Sequence, residues 1–157
     1  MIENEWRIIM ELVAYFSASG VTKKLASELA SHLHADQFEI VPKELYTKHD
    51  LNYINPLSRS SKEMRKKDAR PEFIKKDLDI QKYEKIYLGF PIWWYTAPRI
   101  INTFLEAYDF TNKTIVLFAT SGGTKKFGKT IKDLQVSANK AKFIEGSINP
   151  KDYSWIK

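Results

Sequence analysis

The chain contains no cysteine, which excludes disulfide bonds, thiolate nucleophiles and cysteine-ligated metals. No apolar run approaches the roughly 18 residues of a membrane-spanning helix, and the start lacks the basic-then-apolar layout of a signal peptide. We therefore predict a cytoplasmic protein without a metal site or membrane contact. The sequence does contain 157 residues, 43% of them hydrophobic, which suffices for one domain with its own core.

The net charge is +6, and the lysines are spread along the chain, most densely in "SKEMRKKDARPEFIKK". Such a distribution is typical of a solvated basic face. Nucleic-acid binding is the alternative that the charge leaves open, and we consider it disfavoured.

The first nine residues, "MIENEWRII", look detached from the strand that can start at Met10. The simplest codons for Trp6 and Arg7 form a purine-rich run shortly before an ATG for Met10. We expect residues 1–9 to be a leader upstream of the natural start, and residues 10–157 to be a single domain. The alternative is a genuine extension that lengthens the first strand.

Apolar runs alternate with amphipathic stretches along the chain. We predict strands at 10–16, 36–41, 85–90, 114–120 and 141–148. We predict helices at 22–33, 58–67, from Pro98 onward and at 129–138, with a short final helix over 149–157. This alternation indicates a mostly parallel sheet with helices on both faces. Ligands of such folds bind beyond the carboxyl ends of the strands, where the strand order reverses.

The stretch "YFSASGVT" runs from the first strand into a helix and places Ser17, Ser19 and Thr22 around Gly20. The amides at a helix N-terminus and the helix dipole favour a phosphate at this point. The nucleoside-triphosphatase pattern GxxxxGK[ST] is absent, so we predict a terminal monophosphate. The alternative is that one hydroxyl merely caps the helix.

The stretch "PIWWYTAP" places Trp93, Trp94 and Tyr95 directly after a buried strand, between Pro91 and Pro98. Neighbouring side chains diverge, so we expect one ring to stack on a flat ligand and one tryptophan to pack beneath the loop.

In "TSGGTKKFG", the amides of Gly122 and Gly123 can approach ring carbonyls, and Phe127 can cover an edge of the ligand. The alternative is that this stretch is only a flexible connection to the helix that begins at Lys129. A phosphate at the first loop and a flat polar ring between the other two describe a mononucleotide, and FMN fits best.

The pattern [ST]-x-[ST]-G-x-T and the stretches "GFPIWWYTAP", "FLEAYDF" and "KTIVLFATSGG" resemble short-chain flavodoxins and flavodoxin-like FMN-binding proteins, from Met10 to about Ile148. The resemblance implies an α/β three-layer sandwich with a five-stranded parallel sheet of order 2-1-3-4-5, and FMN as cofactor. By position it implies three groups of cofactor-binding residues: Ser17, Ala18, Ser19, Gly20, Val21 and Thr22 for the phosphate; Pro91, Ile92, Trp93, Trp94 and Tyr95 for the ring; and Ser121, Gly122 and Gly123 for its pyrimidine side, with Phe127 and Gly128 behind.

A flavin supplies the redox chemistry itself, so we predict no catalytic side chain. Two redox roles remain open: electron transfer to a partner protein, or NAD(P)H-dependent reduction of a small acceptor such as a quinone. The positive charge slightly favours the reductase. The alternative from another class is a binding module without redox activity that takes nucleic acid or anions on its basic surface. The sequence also leaves open whether the protein forms a homodimer.

Overall fold

The computed structural model describes residues 10–156, so the predicted leader lies outside the described residues. These residues form five strands: β1 (Glu11–Tyr15), β2 (Asp36–Glu39), β3 (Lys85–Pro91), β4 (Thr114–Thr120) and β5 (Lys142–Ile148). They also form four helices, α1 (Val21–Leu33), α2 (Arg59–Arg65), α3 (Arg99–Ala107) and α4 (Thr130–Gln135), and a short 3-10 turn at Ile80–Lys82.

All strand pairs are parallel, and the order across the sheet is β2-β1-β3-β4-β5. This confirms the predicted fold class and strand order. The strand order reverses between β1 and β3, because the chain moves outward to β2 and then returns past β1. Ligands of such sheets bind at that reversal.

The sheet separates two cores because alternate residues of each strand point to opposite faces. On β3, Ile86, Leu88 and Phe90 join the core on the α3 and α4 side. Tyr87 joins the other core, which α1 covers with Ala26, Leu29 and Ala30 as buried residues. Both faces are therefore covered, and the middle strands read as nearly continuous apolar runs.

Gly89 on β3 leaves room for an aromatic ring of the neighbouring strand. A Cβ at this position would lie 2.2 Å from Cζ of Phe118. The close approach needs glycine, since real side chains do not tolerate such a distance. The phenyl ring of Phe118 is completely buried there.

The long segment between β2 and β3 contains α2, which matches the helix predicted at 58–67. Ser58 caps this helix, accepting a hydrogen bond from the amide of Ser61 at 3.3 Å. Serine is one of the preferred N-cap residues because its hydroxyl satisfies an unpaired amide of the first turn.

The predicted short final helix is not formed. Residues 151–155 make bends and a turn instead. Asp152 Oδ1 accepts hydrogen bonds from the amide and hydroxyl of Ser154, at 3.0 and 2.7 Å. This local bonding competes with helical hydrogen bonds, which explains the error.

Trp155 covers part of the second core in place of a helix. Its indole lies 6.0 Å from the Tyr87 ring and 6.3 Å from the Phe118 ring, between centroids. Its Nε1 donates to the carbonyl of Asp152 at 2.9 Å. None of the helices in the described part of the chain has the length and apolar composition of a membrane span.

We expect Trp155→Ala to lower the free energy of unfolding by about 2–3 kcal/mol, because it uncovers two buried rings and leaves a cavity. Urea titration followed by far-UV circular dichroism measures this loss. The control is Tyr153→Ala, which removes a ring that stacks on His32 at the surface. Equal losses in the two variants would contradict a specific role for Trp155.

Candidate functional site

Three loops leave the carboxyl ends of β1, β3 and β4, which are neighbours in the sheet. We call residues 17–22 the first loop, residues 91–97 the second loop and residues 121–128 the third loop. Tyr15 pairs with Gly89, and Pro91 pairs with Thr120, so the strands end close together. The parallel register thereby brings the three predicted loops to one edge of the sheet.

Ser17 organises the first loop. Its Oγ accepts hydrogen bonds from the amides of Gly20 and Lys23, at 3.0 and 3.1 Å. Gly20 is the N-cap of α1 and has a φ of 97°, a left-handed conformation that glycine adopts without Cβ strain. The hydroxyl of Ser17 therefore closes the turn and satisfies two amides at the start of the helix.

Five other amides of the first loop remain available. Those of Ser17, Ala18, Ser19, Val21 and Thr22 have no acceptor within residues 10–156. They lie at the N-terminus of a 13-residue helix whose first turn carries no acidic side chain. Because the helix dipole adds positive potential there, the loop is suited to an anion.

Thr22 is buried, and its Oγ1 lies 2.8 Å from Oγ1 of Thr120 at the end of β4. The Thr22 side chain, which is predicted to bind the phosphate, is therefore also tied to β4. One hydroxyl of the pair donates and the other accepts, which leaves one further proton for a third group.

The second loop is a tight hairpin. Trp93 and Thr96 exchange two backbone hydrogen bonds, at 2.9 and 3.2 Å. The two residues between them, Trp94 and Tyr95, have φ values of 48° and 66°. Two-residue hairpins with positive φ at both positions normally use asparagine or glycine, because side chains are strained there.

Among the described residues, the hairpin leaves two backbone amides without a hydrogen-bond acceptor. The amides of Trp94 and Tyr95 have no acceptor in the described part of the chain. Both belong to a turn that the Trp93–Thr96 pair closes and that is anchored at Thr96, since Oγ1 of Thr96 donates to Oδ2 of Asp133 at 2.6 Å. The hairpin can therefore donate to polar atoms at the edge of a flat ligand.

Trp93 packs inward and meets the expectation that one tryptophan lies beneath the loop. Its ring makes edge contacts with Phe16 and Tyr46, at centroid distances of 5.6 and 5.3 Å. Tyr95 instead is 72% exposed at the corner of the hairpin. Trp94 lies between them and is half-buried, as Trp93 is, so the choice of the tryptophan that faces a ligand stays a prediction.

A polar network holds Tyr46 behind Trp93. The Tyr46 hydroxyl donates to Oε1 of Glu63 at 2.5 Å, and Nε of Arg59 donates to Oε2 of Glu63 at 2.9 Å. The Arg59 guanidinium also lies 3.8 Å from the centre of the Tyr46 ring. Burial, together with the bond to Glu63, raises the pKa of Tyr46 well above its usual value, so the tyrosine stays protonated and keeps donating.

The third loop is held at its start and open in its middle. Asn149 brackets Ser121, accepting from its amide at 3.0 Å and donating to its carbonyl at 2.7 Å. Oγ of Ser121 in turn accepts from the amides of Gly123 and Thr124. Gly122 and Gly123 are exposed, and nothing lies within 4 Å of a Cβ built on either.

The sequence predicted that Phe127 covers an edge of the ligand. In the structure it is 6% exposed and belongs to the core beneath the loop, and its role at the ligand stays a prediction. The following Gly128 has a φ of 54°, and a Cβ at this position would lie 3.8 Å from the carbonyl oxygen of Tyr95. Burial of the apolar ring therefore anchors the third loop beside the second.

The sequence profile of a flavodoxin family matches residues 10–154. The chain belongs to the flavodoxin family. Two solved structures share 41% identity with it at a TM-score of 0.84: candidate flavoproteins from Bacteroides eggerthii and Bacteroides uniformis, each aligned over 89% of this chain and over 87% and 89% of their own chains. A flavoprotein from Lactobacillus acidophilus in complex with FMN shares the fold, with 23% identity, a TM-score of 0.70 and coverage of 90% and 94%. No curated protein matches.

FMN, the cofactor predicted from the sequence, is confirmed by membership of this family. The geometry of this flavodoxin-family protein fits the group. Unpaired amides at the N-terminus of α1 suit a phosphate, and those of the hairpin suit the polar edge of a ring. Which residues hold each part remains a prediction.

A cavity of about 150 Å³ lies against one side of the second loop. Its lining residues come from two segments: Leu51, Tyr53, Ser60 and Met64 from the region between β2 and β3, and Ile92, Trp93 and Trp94 from the second loop. Arg99 fixes this arrangement, because its buried guanidinium donates to the carbonyls of Met64 and Lys66.

The sequence analysis missed the four lining residues from the segment between β2 and β3. That segment reads as mostly polar, with apolar residues such as Leu51, Tyr53, Ile54 and Leu57 scattered along it. Tyr53, Ile54 and Leu57 are each more than 70% exposed. The signal in the sequence for this wall of the cavity was the presence of apolar residues within a long polar segment.

Exposed lysines lie near two of the three loops. Lys23 and Lys24 flank the first loop, Lys125 and Lys126 lie in the third loop, and Lys129 follows it. No group of histidine, aspartate and glutamate that could hold a metal occurs among residues 10–156.

We expect the double variant Ser17→Ala, Thr22→Val to weaken FMN binding by about 10- to 100-fold, because it opens the first loop and removes a phosphate donor. Riboflavin binding should change little, since riboflavin lacks the phosphate. Quenching of flavin fluorescence measures both affinities. The matched control is Ser27→Ala, Thr103→Val, which makes the same changes on α1 and α3. Equal losses for the two flavins would remove the phosphate role.

We expect Tyr95→Gly to be more stable than Tyr95→Ala by about 0.5–1 kcal/mol, because alanine keeps the strain of a left-handed residue and glycine does not. Urea titration measures the difference. The matched pair at Tyr53, whose φ is not positive, should show the opposite order. Tyr95→Ala at least as stable as Tyr95→Gly would mean that the hairpin is unstrained.

Proposed function

We propose that this flavodoxin-family protein is an FMN-dependent reductase, which takes electrons from NAD(P)H and passes them to a small flat acceptor such as a quinone. The observation that carries the proposal is the cavity beside the second loop. Bound FMN supplies the redox chemistry, because its ring system accepts and releases electrons.

The cavity supports a small acceptor through its size and its walls. Its volume of about 150 Å³ suits a single ring, and Leu51, Met64 and Ile92 provide apolar surface. Ser60 is 5% exposed, and within residues 10–156 its hydroxyl has only a long contact of 3.5 Å to that of Ser58. An apolar pocket with one polar group is a common design of small-molecule sites.

The lysines of the third loop support a pyridine nucleotide as the electron donor. Lys125 and Lys126 are exposed next to the open Gly122 and Gly123. A positive surface attracts the phosphates of NAD(P)H and raises the rate of encounter. The sequence contains no G-x-G-x-x-G fingerprint, so the nucleotide would bind transiently at the flavin rather than in a dedicated domain.

An electron carrier is the second candidate. The exposed apolar residues Tyr53, Ile54 and Leu57 beside the cavity are the observation that favours docking of a protein partner. Both candidates share the flavin and differ in whether NAD(P)H reduces it directly.

The test is an assay of NADH and NADPH oxidation by the FMN-loaded protein, with a soluble quinone or ferricyanide as acceptor. We expect oxidation that saturates at one FMN per chain. Reduction by dithionite but not by either nucleotide would favour the carrier. A protein that retains no FMN after gel filtration would favour the binding module without redox activity.

We expect Leu51→Phe to raise the KM for the quinone about tenfold, because the larger ring fills the cavity. The rate with ferricyanide, a soluble anion that needs no apolar pocket, should not change. The matched control Leu45→Phe alters an exposed leucine that does not line the cavity. An unchanged KM for the quinone would place the acceptor elsewhere.

A further inference from the structure

Thr120 is connected to all three loops of the site. Its hydroxyl meets that of Thr22 in the first loop, although 98 residues separate the two in the chain. Its carbonyl accepts a hydrogen bond from the amide of Ile92 in the second loop, at 2.9 Å. As the last residue of β4, it directly precedes Ser121 and the third loop.

The two threonine hydroxyls form an isolated buried pair. Thr22 is 2% exposed and Thr120 is 7% exposed. Neither hydroxyl has another hydrogen-bond partner within residues 10–156. Each hydroxyl owns a single proton, and the bond between them uses one, so the pair can donate the other to a third group.

The direction of the bond decides where that second proton points. When Thr120 donates, the Thr22 oxygen is the acceptor and the Thr22 proton is free to point at the first loop. When Thr22 donates, its only proton is used. An anion at the unpaired amides of Ala18 and Ser19 attracts the free proton and favours the first direction.

Thr120 also limits the rotation of the Thr22 side chain. A threonine in the first turn of a helix can turn its hydroxyl back to a carbonyl three or four residues earlier. The contact with Thr120 holds the Thr22 hydroxyl toward β4 instead. Donation along a chain of hydroxyls strengthens the terminal bond, because each bond polarises the next.

We propose that Thr120 is a positioning residue for the phosphate of FMN, and that it acts by donating to Thr22, whose proton then faces the phosphate. This inference rests on the proposed assignment of the first loop to the phosphate. Thr120 itself makes no contact with the ligand in this arrangement.

The test compares FMN with riboflavin in Thr120→Val and Thr120→Ser. Valine keeps the shape and removes the hydroxyl, whereas serine keeps the hydroxyl. We expect Thr120→Val to weaken FMN binding about three- to tenfold and riboflavin binding much less, since only a strengthened or pre-oriented bond is lost. Thr120→Ser should stay near the wild type. The control Thr114→Val makes the same change at the opposite end of β4.

A double-mutant cycle decides whether Thr120 acts through Thr22. In a Thr22→Val background, Thr120→Val should have no further effect on the ratio of the two affinities. Full additivity would overturn the proposal, because a purely structural role needs no Thr22 hydroxyl. Should the valine variant fail to fold, Thr120→Ala against Thr120→Ser makes the same comparison with smaller side chains.

The same experiment separates this inference from the assignment of the first loop. If Thr22→Val leaves the ratio of the affinities unchanged, the first loop does not hold the phosphate through Thr22, and both statements fall. If Thr22→Val lowers the ratio and Thr120→Val does not, the role of Thr120 alone is wrong.

Discussion

Backbone hydrogen bonds between β1, β3 and β4 place the three site loops side by side, and every other feature of the site depends on this pairing. In the β3–β4 ladder, the register runs from Lys85 opposite Thr114 to Pro91 opposite Thr120. A shift of one residue would turn each side chain to the other face of the sheet. The apolar side chains on both faces therefore fix the register, and the register fixes where the loops begin.

The site offers mainly backbone amides rather than charged side chains. The first loop exposes amides at a helix N-terminus, and the hairpin of the second loop exposes two more. Amides held in a fixed conformation can bind acceptors without a further loss of conformational entropy. The positive φ values of Trp94 and Tyr95 are a local cost that the anchors at Thr96 and Trp93 offset.

The support for the second loop comes from a distant part of the chain. The Arg59–Glu63–Tyr46 network packs against Trp93, and Arg99 holds the end of α2. These partly buried polar contacts tie α2 to the segment at Tyr46 on one side and to α3 on the other. Satisfied networks of this kind favour one arrangement, because an unpaired member would be costly.

The sequence by itself determined the strands, their parallel arrangement and the three loops, because buried strands read as apolar runs and helix starts read as hydroxyl and glycine patterns. Tertiary structure decided the rest. Three features of the site join residues that are far apart in the chain: the burial of Phe127, the Thr22–Thr120 pair, and the cavity wall from Leu51 to Met64. Local patterns carry no record of such contacts. Trp155 is likewise positioned by packing on Tyr87. The hydrogen bonds of Asp152 prevent a helix in the residues before it.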